Sequence, residues 1–208
     1  AGGCVTELIV GYPGPAGSHS AAAAALLAPA GATIEPLPSF IAVVEQTASA
    51  KMGLGVLPIE NSLHGPVAET HDLLYDAPLS IVAEVTLPII HCLVAKTPIA
   101  VSEIRTLRSI PVAFDQCRDL IRSLDVECVP AATTSDGARL VSESTDPYDA
   151  AIASAAAAEL YGLHVVAEDV GDRPGAFTRF VTIAPYTLLD VPHRPRVGIS
   201  FVTDHRPG

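Results

Sequence analysis

The sequence predicts an α/β protein of two lobes, each built on a mixed or parallel sheet flanked by helices. Three observations carry that expectation. Short apolar runs rich in Val, Ile and Leu alternate with longer stretches at helical spacing. A strand-like run from Ser80 to Ala95 breaks the alternation midway, where the chain passes from one lobe to the other, and Phe177 to Ile183 returns as one more strand. The composition, 49% hydrophobic and 17% charged over 208 residues, supplies apolar surface for such cores without disulfide or metal support. A cleft between the lobes is then the natural pocket.

Taken in order, Glu7-Leu-Ile-Val-Gly-Tyr12 reads as the first strand and breaks at Pro13-Gly-Pro-Ala-Gly17. Ser18 and Ser20 stand where a helix start wants a cap, ahead of Ala21 to Leu27. A strand feeding a Gly-rich turn into a helix presents free backbone N–H groups that favour an anion, but the segment alone reads equally as a tight turn with an ordinary cap. Thr33 to Leu37 is a second strand. Ser39 caps a helix to Met52, with Phe40, Val43, Val44 and Thr47 at helical spacing. Gly53 to Pro58 is a third strand, which delivers Ile59-Glu-Asn-Ser62 to its C-terminal end, where open α/β sheets bind ligands. Val67 to Leu74 is helical, with Leu73 and Leu74 on its apolar face.

Beyond the crossover, Ile104 and Leu107 lead into Ser109-Ile-Pro-Val-Ala113, and Gln116 to Leu124 forms a helix. Val126 to Pro130 is a short strand, Ser135 to Val141 a helix, and Tyr148 to Ser154 a buried strand. Ala155 to Leu160 makes a helix stopped by Gly162, followed by a strand from His164 to Val170.

Twelve Lys and Arg stand against 23 Asp and Glu, a net charge of −11. A polyanion meets long-range repulsion from such a chain, so nucleic acid is excluded as a main partner. Cys4, Cys92, Cys117 and Cys128 form no CxxC pair and no His/Cys spacing that closes a zinc site, and read as reduced, mostly buried thiols. No run approaches the apolar length of a membrane span, and no Lys or Arg precedes an apolar stretch at the N-terminus, so no membrane association and a cytoplasmic location are expected.

The segment Pro58-Ile-Glu-Asn-Ser-Leu-His-Gly-Pro-Val-Ala-Glu-Thr-His-Asp-Leu-Leu74 resembles the PIENS-x-x-G-x-V-x-x-T-x-D-L-L signature of prephenate dehydratases. Five further stretches agree in family order. Gly14-Pro-Ala-Gly-Ser-His-Ser20 is similar to the G-P-x-G-[TS]-[FY]-S loop, and Glu84 with Leu87 to Leu93 to the following strand and crossing. Ser109-Ile-Pro-Val-Ala-Phe-Asp-Gln-Cys117 resembles S-H-P-Q-A-L-x-Q-C. Ala151-Ile-Ala-Ser154 with Ala158-Glu-Leu-Tyr-Gly-Leu163 resembles A-I-A-S and A-x-x-Y-G-L, and Thr178-Arg-Phe180 the closing T-R-F. The resemblance covers about residues 8 to 186. It departs at three places. Ala176 stands where D-x-x-x-N-x-T-R-F has its Asn after Asp172, Ile110 replaces a His, and His19 replaces an aromatic. The first touches the segment that delivers Thr178.

The resemblance implies a two-lobed fold similar to periplasmic binding proteins of type II, with the active site between lobes formed by residues 1–86 with 177–190 and by residues 87–176. It implies decarboxylative dehydration of prephenate to phenylpyruvate, driven by aromatisation and without a cofactor. An alcohol is too weak an acid to protonate hydroxide before the bond breaks, but donates a hydrogen bond as charge develops on the leaving oxygen. By resemblance that donor, the catalytic residue, is Thr178. Asn61, Ser62, Ser109, Gln116, Arg179, Phe180, Ser18 and Ser20 are implied as substrate-binding. Uncharged donors suit a carboxylate that must leave as CO2, because a strong ion pair to it stabilises the ground state.

Each residue also has a plainer reading. Thr178 is a β-branched strand residue, Asn61 and Ser109 are capping types, and Gln116 suits a solvated first turn. Arg179 alternates to the other strand face, so either it reaches a substrate carboxylate or it forms a structural ion pair. His64, His71 and His91 match no metal-ligand spacing and read as surface or packing histidines, and Glu60 as a residue fixing its loop. Alternatives of the same fold take arogenate or decarboxylate prephenate without aromatising it; another class is a non-catalytic two-lobed small-acid binder. Residues 191–208 read as a Pro-rich linker and the opening strand of an ACT-type regulatory domain. The resemblance implies a homodimer or homotetramer, with phenylalanine as effector only where that domain is complete.

Overall fold

Four helices begin on hydroxyl caps, because Ser and Thr oxygens accept from backbone N–H groups that the first turn leaves unpaired. Ser18 accepts from Ala21 N, Ser39 from Ala42 N, Thr133 from Asp136 N and Ser154 from Ala157 N. They start α1 (His19–Leu27), α2 (Phe40–Ala48), α6 (Thr134–Glu143) and α7 (Ala155–Tyr161). The computed structural model describes residues 8–186, so the linker and regulatory opening expected at 191–208 lie outside the described residues.

Two sheets organise the chain. The first runs β2-β1-β3-β11-β5, from β1 (Ile9–Pro13), β2 (Thr33–Leu37), β3 (Leu54–Asn61), β5 (Leu79–Pro88) and β11 (Phe177–Pro185), with the short β4 (Gly65–Pro66) on β3. β1 is parallel to β2 and β3, whereas β11 runs antiparallel between β3 and β5. The second runs β10-β6-β9-β7-β8, from β6 (Cys92–Ala95), β7 (Thr106–Ser109), β8 (Glu127–Pro130), β9 (Asp149–Ala153) and β10 (His164–Ala167). The remaining helices are α3 (Ala68–Asp76), α4 (Pro111–Gln116) and α5 (Arg118–Leu124).

Helices cover both faces of the first sheet, so β1 and residues 54–59 of β3 read as near-continuous apolar runs, while β11 carries Thr178, Arg179 and Thr182 among its apolar residues. Val10, Tyr12, Val56 and Phe180 pack towards Ala23 and Ala24 of α1, while Leu57, Ile59, Val181 and Ile183 pack towards Val43 and Val44 of α2. Gly55 lets α2 approach closely: a Cβ there would sit 2.6 Å from Thr47 Oγ1 and 2.7 Å from Val43 Cγ1. The second sheet is buried on both faces as well, and every residue of β9 lies inside.

Two expectations change, in the helix over 116–124 and in the strand from His164. The run from 80 to 95, read as interrupted at Pro88, is two strands in different sheets: the chain leaves the first sheet at Pro88 and enters the second at Cys92. After Ser109, Pro111 opens α4, where its fixed φ and missing N–H suit the first helical position. The helix expected over 116–124 is split, with Gln116 closing α4, Cys117 outside helical geometry at φ −128°, ψ 36°, and α5 starting at Arg118. The strand from His164 stops at Ala167.

The 14–18 loop of the first sheet docks on helices of the second. Ser135 Oγ donates to Ala16 O at 2.6 Å and Ser154 Oγ to Gly17 O at 3.0 Å. Gly17 has φ +77°, and a Cβ there would lie 3.1 Å from Ala157 Cα and from Ser135 Oγ.

Candidate functional site

Thr178 and Asn61 meet because β11 and β3 pair antiparallel with Thr178 opposite Asn61. A one-residue irregularity makes this possible. Arg179 pairs with Glu60 but Phe180 pairs with Pro58, so Ile59 is an extra residue on β3. Without it, strict alternation would put Asn61 on the α2 face with Leu57 and Ile59. With it, Asn61 turns to the face of Thr178, and its Nδ2 lies 2.9 Å from Thr178 Oγ1.

The amide is held from its other end. Asn61 Oδ1 accepts from Leu63 N at 2.9 Å and His64 N at 3.2 Å, with His64 Nδ1 at 3.3 Å. The carbonyl end therefore faces the turn, and the NH2 end faces Thr178. Ser62 closes the other side: its N–H donates to Phe177 O and its Oγ accepts from Phe177 N, each at 2.9 Å. Thr70 Oγ1 donates to Pro58 O at 2.7 Å and His71 Nε2 lies 3.2 Å from Ile59 O, which ties α3 under the bulge.

Beside this pair opens a cleft of about 280 Å³, near the lower end of small-ligand pockets. Leu63 and His64 line it from the first sheet, and Gln116 and Arg118 from the α4–α5 junction. The two chain crossings form its back. Ile89 N donates to Ala176 O at 2.8 Å, Val170 N to His91 O at 2.9 Å and Asp172 N to Gln116 O at 2.7 Å. His91 is buried in that wall, with Nε2 2.6 Å from Gln116 Oε1 and Nδ1 unpartnered. The Asp172 carboxylate accepts from Arg118 N and Asp119 N at the start of α5, and the Arg118 guanidinium lies 2.7 Å from Asp115.

Burial, and then the charge of a protonated His91, push the His19 imidazole down to about 4. Burial, and then Asp172, push the Cys117 thiol up to about 12, and burial also raises Cys92 and Cys128, so these cysteines are thiols at neutral pH. Among the described residues, no cluster of three or more His, Cys, Asp or Glu is arranged to hold a metal ion.

The residues singled out from sequence divide three ways. Asn61, Ser62 and Thr178 come together, and Gln116 lines the adjoining cleft. Ser18 caps α1 in the docked loop and Ser20 is half-buried in its first turn. Arg179 lies on the sheet face opposite Thr178, with its guanidinium 3.2 Å from Glu60, the ion-pair alternative. Two expectations are corrected. Ser109 does not turn into the cleft: it is fully buried, and its hydroxyl donates to Ile152 O at 2.7 Å across the second sheet. Phe180 is 2% exposed among Val10, Tyr12 and Val56, so it packs the core and offers no surface to a ligand. Conversely, sequence reasoning passed over His91, which it read as a packing or surface residue. The signal was a lone titratable group in the apolar crossing Pro88-Ile-Ile-His-Cys-Leu-Val94.

A family model described as prephenate dehydratase matches residues 10–187. The chloroplastic arogenate dehydratase/prephenate dehydratase 1 of Arabidopsis thaliana is 34% identical over 204 residues, 98% of this chain and 52% of that protein. Among solved structures, the prephenate dehydratase of Arthrobacter aurescens in complex with L-Phe superposes with a TM-score of 0.80 at 30% identity, covering 90% of this chain and 62% of that one. GqqA, described as a novel type of quorum quenching acylase, gives 0.78 at 32%, covering 90% and 67%. The chain spans about half the length of the curated plant relatives it matches.

Proposed function

We propose, for a chain that belongs to the prephenate dehydratase family, that it is a carbon–oxygen lyase turning prephenate into phenylpyruvate, CO2 and water. The observation that carries the reading is the 2.9 Å contact from Asn61 Nδ2 to Thr178 Oγ1. Because Asn61 donates to it, the Thr178 oxygen is occupied as an acceptor, and its own hydrogen is free to point at a substrate. In the reaction the ring C–carboxylate bond breaks and its electron pair enters the ring. The C–O bond at C4 breaks with its electron pair on oxygen, and the departing hydroxide takes a proton from solvent to become water. Thr178 O–H donates a hydrogen bond to that oxygen as negative charge builds on it, an interaction stronger in the transition state than in the ground state. Gln116, fixed by His91, offers uncharged amide donors to the cleft beside it.

The similarity to proteins named arogenate dehydratase/prephenate dehydratase supports arogenate as the alternative substrate, with phenylalanine as product. Incubation of the chain with prephenate and with arogenate, following phenylpyruvate, phenylalanine and CO2, tests both. Phenylpyruvate or phenylalanine formed with stoichiometric CO2 supports the reading; CO2 without aromatic product, or no reaction, overturns it. The proposal extends to a homodimer or homotetramer and, where a complete regulatory domain is present, to phenylalanine as effector, supported by the L-Phe complex of the Arthrobacter aurescens relative. It places the enzyme in a reducing compartment, the cytoplasm, supported by the free thiols of Cys92, Cys117 and Cys128. No helix among the described residues is long and apolar enough to cross a membrane.

A further inference from the structure

The described cations around the site are almost all committed. Arg179 pairs with Glu60 on the far face of the sheet. Arg118 reaches the cleft but pairs with Asp115, while its backbone N–H is taken by Asp172. Arg173 also lines the cleft, from the segment returning to the first sheet, and among the described residues it makes no ion pair or hydrogen bond. Three residues on, Ala176 gives the same wall only a methyl group.

We infer that Arg173 binds the side-chain carboxylate that the substrate keeps, an assignment that rests on the function proposed above. Two arguments select that carboxylate. An arginine forms a strong, bidentate pair with a carboxylate, which would hold back a group that must depart as neutral CO2. The same pair costs the reaction nothing at a group that is unchanged between substrate and product, where it contributes uniform binding. The side-chain carboxylate is common to prephenate and arogenate, so the assignment holds for either substrate.

The test uses Arg173→Gln and Arg173→Lys, at an exposed position where neither change disturbs packing. Arg173→Gln is expected to raise KM at least tenfold with kcat within threefold, because uniform binding is lost and the chemical step is untouched. Arg173→Lys recovers part of the KM. Phenylpyruvate carries the side-chain carboxylate and no ring carboxylate, so its affinity, measured by calorimetry without turnover, falls at least tenfold in Arg173→Gln. A raised KM with unchanged phenylpyruvate affinity would assign Arg173 to the ring carboxylate and overturn the inference, as would a KM and affinity both within twofold of the parent. A parent chain that neither binds nor converts prephenate or arogenate would overturn the proposed function itself, and this inference with it.

Discussion

Replacing Thr178 by Val removes one hydroxyl and little else, since the side chains are nearly isosteric and the site is 8% exposed. The structure separates two costs. Asn61 Nδ2 loses its acceptor in a half-buried setting, which costs about 1–2 kcal/mol of stability. At 2–4 °C per kcal/mol for a domain of this size, Tm falls by roughly 2–8 °C and the protein stays folded at 25 °C. The lost donor to the leaving oxygen is a transition-state term of about 2.7–4 kcal/mol, as for single oxyanion-type donors. At about 1.36 kcal/mol per decade, kcat falls roughly 10²- to 10³-fold. Steady-state formation of phenylpyruvate from prephenate, with circular dichroism to establish folding, reads both numbers. Thr178→Ser keeps the oxygen and is expected to retain part of the rate. Asn61→Ala acts on the same hydrogen bond, so its effect and that of Thr178→Val should fall well short of multiplying in the double variant. A folded Thr178→Val enzyme with kcat within threefold of the parent would refute the role of the hydroxyl.

Gln116→Met removes the partner of His91 Nε2 and an amide donor of the cleft, and should lower kcat/KM about tenfold, mostly through KM, the scale of one neutral hydrogen bond; kinetics within twofold of the parent would remove Gln116 from the site. Phe180→Ala empties a core position and should cost about 3–5 kcal/mol in urea unfolding, while protein still folded at low temperature keeps its KM; a tenfold rise in KM there would return Phe180 to substrate contact. His19 gives a pH dependence of known sign. Its folded pKa of about 4 lies below the ordinary 6.5, so above pH 6.5 the ring is neutral in both states and stability is flat. As pH falls towards 4 the unfolded chain takes the proton first, and stability drops by about 2 kcal/mol, after a discount for the ring's partial exposure. His19→Phe should remove that part of the slope between urea midpoints at pH 7.5 and 4.5; an unchanged slope would show that other groups carry it.

The order of strands and helices was legible because both sheets are covered on both faces, which writes strands such as β1, β6 and β9 as short, nearly continuous apolar runs. Capping residues wrote the helix starts with equal clarity at Ser18 and Ser39. What escaped was geometry decided by single residues. The run 80–95 shows its crossing at Pro88, but its apolar character does not tell that the next strand begins only at Cys92. Ser109 and Gln116 share a motif, yet α4 separates them, one at the end of a buried strand and the other in the cleft wall. Spacing along the chain does not reveal which of two nearby hydroxyl or amide groups a carbonyl across the sheet will claim.

The same limit reaches deeper into the Asn61–Thr178 pair. Motif resemblance brings both residues to attention, but their chemistry depends on which way a hydrogen points, and that is fixed by three features outside either motif position. The extra residue Ile59 rotates Asn61 to the correct face of β3. The tight turn through Leu63 and His64 engages the amide oxygen and so commits the NH2 end to Thr178. Antiparallel pairing with β11, closed by Ser62 against Phe177, holds Thr178 opposite it. Removing any one of these leaves both side chains present and the hydroxyl free to rotate or to donate to Asn61 itself. The hydrogen-bond direction at Thr178 is therefore a property of the strand register, and substitutions that shift the register around Ile59 should impair turnover without touching either side chain.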